Sequence, residues 1–328
     1  LGSTLAPRDQ NLARPNLPTQ VPSRQDASMN PVPWGLSSRA TADDVPPPTS
    51  SPIPRRRPVL GLPPAAVASR WYRGELFHTR FCDALSLFFP EGERFFVESV
   101  HHFRDRLTEP ALRAAVADFV AQEAAHGRAH RAFNGTLAAE GLPLVAELEA
   151  HAVRTLRLAH RLLTPHGRLA VTCALEHFTA ILAEQVLADP THREAMSPEI
   201  RALWVWHALE ETEHKAVAFD VYRAVGGGYA RRVAIMLLTT AVFVGTTAYT
   251  HARLMAAEPQ PPTLRELVRG LDYMWGRPGL MRRLIPAYLE YLRPSFHPDD
   301  RDSRALVAWG RNYLYGPGGL LEGQWSPS

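Results

Sequence analysis

The sequence predicts an all-α protein built around a four-helix bundle, with extra helices on its N- and C-terminal sides. Three observations predict this. Apolar residues recur at helical spacing in long stretches from about residue 65 onward. No stretch shows the strict alternation of a half-buried strand. Two Glu-x-x-His tetrads, Glu123–His126 and Glu211–His214, fall on alternate predicted helices, and i, i+3 spacing sets both side chains of each tetrad on one face.

Residues 1–60 read as a disordered Pro/Ser-rich tail, with Pro46-Pro47-Pro48 and Arg55-Arg56-Arg57 and no apolar period. Such a composition buries too little apolar surface to offset its ordering entropy. The chain begins with Leu1, Met29 is a candidate initiator, and no secretory signal is visible. The bundle is expected over residues 61–228. Residues 65–88 read as one or two lead-in helices. Phe88-Phe89-Pro90-Glu91 reads as a helix start, with proline in the first turn, and that helix runs to about Leu107.

Thr108-Glu109-Pro110 gives a stop and a restart, with Thr108 as cap. The next helix runs to about Glu140 and ends at Gly141-Leu142-Pro143. A connecting helix covers 144–163, and a third long one runs from Gly167 to about Ala188. Ser197-Pro198-Glu199 opens a fourth, ending near Gly226–Gly228.

Residues 229–328 read as a helical extension. Its segment 233–250 carries no charge and lies between Arg231-Arg232 and Arg253. Eighteen residues is about the lower limit for a bilayer span, and its threonines and glycine weaken that reading. Membrane association through 233–250 and a buried or interfacial helix are the alternatives.

Of the 328 residues 45% are hydrophobic, so a sizeable core is available. Thirty-six basic residues against 33 acidic leave a net charge of +3, which is not the profile of a nucleic-acid binder. Only Lys215 is lysine. Two cysteines, Cys82 and Cys173, are too few for a disulfide framework or a structural zinc site, and fit a cytoplasmic location.

The chemistry lies in the middle third. Two Glu-x-x-His pairs, each preceded by a helix with an inward glutamate, are the ligand set of ferritin-like di-metal carboxylate bundles. Four glutamates cancel the charge of two divalent ions, and imidazoles complete the shells without adding charge. His207, Glu211 and His214 fall within ~60° of one another on a helical wheel, so His207 joins the set. On the first helix Glu93 shares a stripe with Val97 and Val100, whereas Glu98 shares one with Arg94, His101 and Asp105. Glu93 is therefore the inward residue.

On the third helix Glu176 shares its face with Thr172, Cys173, Ala180 and Ala183, small side chains that leave room for metals and substrate. The expected ligands are Glu93, Glu123, His126, Glu176, His207, Glu211 and His214. His130, Glu184, Glu210 and Cys173 are candidates for a supporting shell, with Cys173 otherwise a small core residue. His166 and His177 read as solvated, and Trp204 and Trp206 as packing residues, with Trp204 a candidate pocket wall. No Gly-rich phosphate loop, Ser-His-Asp arrangement or CxxC motif is present.

The phrases FFPEGERFFVESV, DFVAQEAAHGRAH, ALEHFTAILAE, WHALEETEHKAVAFDVY and SFHPDDRD resemble the bacterial family of predicted metal-dependent hydrolases, over about residues 60–310. The ligand pattern is also similar to that of di-iron arylamine N-oxygenases, in which a third histidine corresponds to His207. The expected function is that of a metal-dependent enzyme with two divalent ions. Carboxylates mixed with imidazoles favour iron, with manganese or zinc as alternatives. Iron would serve to oxidise or oxygenate a small organic substrate with O2. The family name implies instead a two-metal hydrolase, with Glu210 or Glu213 as base. A third reading is a non-enzymatic metal-binding or membrane-associated protein. Substrate and oligomeric state are not specified by the sequence.

Overall fold

Pro90 sits inside a helix, not at the head of one. In the computed structural model, which describes residues 53–327, α1 is Pro64–Ala68 and α2 runs unbroken over Leu76–His101. A proline at this place removes the amide that would close a helical turn on the Ser86 carbonyl. Asn134 Nδ2 donates to that carbonyl instead, at 3.1 Å, from the following helix. This cross-helix donor lets the expected lead-in segment and the first bundle helix merge into one.

That following helix is α3, Pro110–Ala139. Glu109 is its cap residue rather than Thr108, and no side chain caps it. Then come α4, Val145–Leu162, and α5, Pro165–Ala188. α5 starts two residues before Gly167 because the Thr164 hydroxyl accepts from the Gly167 amide at 3.2 Å. The short α6, Pro190–Arg193, leads to α7, Pro198–His214, opened by Ser197 as expected.

The fourth bundle helix does not reach the triple glycine in one piece. It breaks at Lys215–Ala216 and resumes as α8, Val217–Ala224. At the break Lys215 Nζ donates to Arg301 O at 2.6 Å and to Ser303 Oγ at 2.7 Å. The extension follows: α9, Tyr229–Ala256; α10, Leu264–Trp275, held by a Thr263–Glu266 capping box; α11, Leu280–Glu290; and α12, Arg304–Tyr315.

Among the described residues the fold is all-α apart from two three-residue strands. β1, Arg56–Pro58, pairs antiparallel with β2, Trp325–Pro327, with Arg57 opposite Ser326. This corrects the sequence reading, which saw no strand and placed Arg56 in a disordered tail. The Arg56 side chain is buried, so a charged residue that composition assigns to solvent is an anchor. Residues 1–52, with Met29, lie outside the described residues.

α2 packs on α3, α3 on α7, α7 on α5, and α5 on α2, which closes a ring of four helices. Two apolar layers fill the ring. One contains Leu87, Ala125, Ala183 and Leu209; the other contains Phe95, Phe119, Cys173 and Val217. On every helix a candidate ligand falls between the two layers in sequence: Glu93 on α2, Glu123 on α3, Glu176 on α5 and Glu211 on α7. Burying an ionised carboxylate costs several kcal/mol. A large apolar side chain such as Phe119 contributes roughly 1.5–3 kcal/mol on burial, so the flanking layers supply what the polar layer costs.

Candidate metal centre

Seven side chains from four helices converge in the polar layer, none more than 4% exposed. One ligand atom from each of Glu93, His126 and His207 can be chosen so that all three lie within 4.8 Å of one another, and likewise for Glu123, Glu211 and His214. Glu211 joins the two groups. Its Oε1 is 3.0 Å from His207 Nε2, 3.5 Å from His126 Nδ1 and 3.6 Å from His214 Nε2. Glu176 belongs to neither triplet, but its Oε2 lies 3.5 Å from His214 Nε2.

The outer hydrogen bonds fix which nitrogen of each imidazole faces inward. Ser86 Oγ donates to Asn134 Oδ1 at 2.7 Å, so it accepts from His130 Nδ1 at 2.8 Å. His130 Nε2 is then an acceptor and takes the proton of His207 Nδ1 at 2.7 Å. That leaves a lone pair on His207 Nε2. On the other side, Gln122 Nε2 donates to Pro54 O at 2.9 Å and to Glu213 Oε2 at 3.2 Å. Its Oε1 therefore accepts from His214 Nδ1 at 2.9 Å, and the lone pair of His214 Nε2 turns inward. His126 Nε2 donates to Glu210 Oε2 at 3.2 Å, which turns its Nδ1 inward.

In these tautomers each inward nitrogen meets carboxylate oxygens with no proton between them unless the imidazole takes a second one; His207 Nε2 lies at hydrogen-bonding distance, 3.0 Å, from Glu211 Oε1. Both oxygens of Glu93, Glu123 and Glu176, with Glu211 Oε2, are buried and make no hydrogen bond; His126 Nδ1 and His214 Nε2 likewise. His214 Nε2 lies 3.0 Å from Glu123 Oε1 without hydrogen-bond alignment. Lone pairs aimed at a common interior require a cation, and this donor set fits divalent metals. Outer partners that fix the tautomers are what metal-binding imidazoles require.

Protonation follows the same field. Burial, then the neighbouring carboxylates, push Glu93 and Glu176 well above the usual range, and burial with Glu211 raises Glu123. Glu211 moves the other way: burial opposes ionisation, but His214, His126 and His207 hold it well below. Burial and the proximity of His126 lower His207 to about 4, so it is neutral, as its place in the hydrogen-bond chain requires. Burial would lower His126 as well, but Glu210 and Glu211 raise it to about 9. A proton or a metal ion answers the same demand there.

Of the supporting residues expected from sequence, His130 and Glu210 touch His207 and His126. Glu184 does not reach the cluster; it accepts from Arg301 Nε at 2.9 Å and Ser303 Oγ at 3.2 Å. Cys173 donates to Ala218 O within an apolar layer. Glu98 is exposed, as its stripe implied. His177 is not solvated: it is buried and hydrogen-bonds Ala287 O at 3.0 Å. His166 is half-buried against Val225 O. Trp204 stacks on Trp71 and meets His130 edge-on.

Sequence reasoning missed Gln122, Ser86, Asn134, Gly127 and Arg56. Gly127 had a signal, since glycine mid-helix beside a Glu-x-x-His asks for a reason. A Cβ there would lie 2.9 Å from Glu93 Oε2. Arg56 had none: it donates to Glu210 at 3.1 Å and to both oxygens of Glu213, at 2.8 and 2.9 Å.

A narrow crevice reaches the cluster from the α5 side. Glu176 is the one candidate ligand in its wall, with Ala180, Ile181 and Phe219. Phe296, Pro298 and Arg301, from the SFHPDDRD phrase, also line it.

A helical ring with a buried carboxylate–imidazole layer defines a class, that of all-α proteins suited to bind metal inside their own core. The chain belongs to the family of predicted metal-dependent hydrolases, whose family model matches residues 54–302. The family implies a metal-dependent enzyme acting on a small molecule. No curated protein and no solved structure matches the chain.

Proposed function

We propose that Glu93, Glu123, His126, Glu176, His207, Glu211 and His214 hold two divalent metal ions in a ferritin-like bundle spanning about residues 61–228. Iron is the favoured metal, and the enzyme oxidises or oxygenates a small organic substrate with O2. The observation that carries the metal assignment is that one nitrogen of each of three imidazoles, oriented by an outer partner, faces a group of buried carboxylates. Glu211, whose Oε1 faces His126, His207 and His214, would help to hold both ions. His130 and Glu210 keep His207 and His126 in their binding tautomers. Glu176 borders the crevice on the α5 side, and Phe89 stands edge-on to the rings of both His130 and His207, 4.6 Å from each.

Bound iron would supply electrons to O2; bound zinc or manganese would supply a water of lowered pKa. The second, hydrolytic reading is favoured by the family's description. Neither Glu210 nor Glu213 is free to act as its base. Glu210 holds His126 and Arg56, and Glu213 is engaged by Arg56, Arg311 and Gln122.

The test is to load the chain with iron, manganese or zinc, count bound ions, and follow O2 uptake by the reduced iron form beside ester and phosphoester hydrolysis by each form. Two ions per chain with O2 uptake supports the oxidative reading. Hydrolysis by the zinc or manganese form, without O2 uptake by the iron form, replaces it with the hydrolytic one. Failure to bind any ion overturns both.

A further inference from the structure

The outward face of α9 has no physical reason to be what it is in water. Apart from Tyr249 and the Arg253 side chain, every exposed residue from Ala234 to Ala256 is apolar, including Leu237 and Leu238 at 53% and Val244 at 58% exposure. At 1.5 Å per residue this stripe is about 33 Å long. Its opposite face is a normal interior face: Met236 and Leu254 are fully buried, and α9 packs on α2 and α5. α9 therefore lies along the protein with one face covered and the other bare, its apolar stretch 22% buried.

The next two helices repeat the pattern. On α10, Leu264, Val268, Leu271 and Trp275 recur at i, i+4, i+7 and i+11, each more than half exposed, which is one stripe of a helix turned outward. On α11, Ile285 and Leu289 are exposed at i, i+4. The three helices are neighbours: α10 packs on α11, and Tyr288 of α11 hydrogen-bonds Thr240 of α9 at 3.0 Å. Exposed apolar stripes on three adjacent helices mark an interaction surface.

The charge on these helices selects the partner. Residues 229–290 carry eight arginines against four acids; Arg231, Arg265, Arg269, Arg277, Arg282 and Arg283 are exposed, with Arg269 paired to Glu75 and Arg283 to Asp189, while Asp272 is exposed and Glu266 and Glu290 are partly so. A second copy of the chain would set this positive rim against itself. An anionic lipid surface would be attracted to it, while the apolar stripes enter the acyl boundary and Trp275 and Tyr249 sit at headgroup depth. We propose that α9, α10 and α11 form a monotopic face that docks the protein, lying flat, on an anionic membrane surface.

Co-sedimentation of the full chain with phosphatidylcholine vesicles, with and without phosphatidylglycerol, tests this. The chain should bind the anionic vesicles, more weakly at high salt. The double variant Leu238→Glu/Val242→Glu should weaken partition at least about tenfold. Arg265→Glu/Arg282→Glu should remove the preference for anionic lipid. Leu162→Glu, at an exposed apolar position on α4, should change nothing. Unaltered circular dichroism and metal content keep these effects apart from misfolding and from the fate of the metal assignment. The proposal is overturned if the wild-type chain ignores anionic vesicles, if Leu162→Glu loses as much as the double variant, or if the chain is a lipid-indifferent dimer that Leu238→Glu/Val242→Glu dissociates.

Discussion

Arg56 reaches Glu210 across 3.1 Å although 154 residues separate them, and Glu210 in turn takes the outer proton of His126 at 3.2 Å. The first strand of the fold therefore supports the carboxylate–imidazole layer through one carboxylate. Arg56→Met keeps the bulk of the side chain but leaves Glu210 and Glu213 buried without their cation. It should destabilise the fold by about 3–5 kcal/mol and weaken metal binding about 10–100-fold, read by urea denaturation and by titration against a competing chelator. Arg55→Ala is the contrast. Arg55 pairs with Asp118 at the surface, and its loss should stay within about 1 kcal/mol with metal affinity unchanged.

Gly127 makes room for the Glu93 carboxylate, as the 2.9 Å approach of an added Cβ to Oε2 shows. Gly127→Ala should separate stability from binding. Helix propensity favours alanine by about 1 kcal/mol, and the atom in the way is the end of a flexible side chain. The thermal midpoint should hold or rise, while affinity for the ion bound by Glu93, His126 and His207 falls about tenfold, the lower end for a displaced partner. A drop in midpoint with normal metal binding would mean that the glycine serves helix packing against Pro90 instead.

The helical class and the phase of the carboxylates were legible because both depend on local periodicity. Glu93 and Glu98 differ by five residues, and the stripe each shares with its neighbours already says which faces inward. Pro90 misled because the donor that compensates it, Asn134, lies on another helix, 48 residues from the Ser86 carbonyl it serves, beyond the reach of any local window. His177 misled for a similar reason: the elements that bury it, around Ala287 and Tyr291, come from the extension. Arg56 was illegible because its role depends on β1 and β2 pairing across nearly the whole chain.

Acid should loosen the fold at a buried histidine outside the carboxylate–imidazole layer. His192 is buried, with Nδ1 2.7 Å from Tyr273 OH. Burial lowers it to about 4, against a pull upward from Asp189. A histidine depressed in the folded state contributes stability that is fully present above its unfolded value near 6.5 and is lost as pH falls through about 4. The loss over that window is up to about 3 kcal/mol. His192→Gln should flatten the corresponding part of the stability profile between pH 7 and pH 4, measured by urea melts at each pH. An unchanged slope would assign the acid sensitivity to the other histidines that burial lowers to about 4, His78 and His177 outside the carboxylate layer and His207 within it.

The carboxylate layer trades stability for binding, and Glu93 is the place to measure the trade. Burial, with Glu123, Glu211 and Glu176 nearby, holds its carboxyl well above the usual range. Folding without metal therefore requires either a proton on Glu93 or a repelled buried charge. Glu93→Gln keeps the shape and removes both costs. In chelator the variant should unfold at higher urea, by about 1–3 kcal/mol. With metal present the order should reverse, because only the wild-type carboxylate gains from the cation, and ligand-linked stabilisation grows with metal concentration. The crossing of the two stability curves along a metal titration is the signature. If the variant is less stable with and without metal, Glu93 is a structural carboxylate and not a ligand.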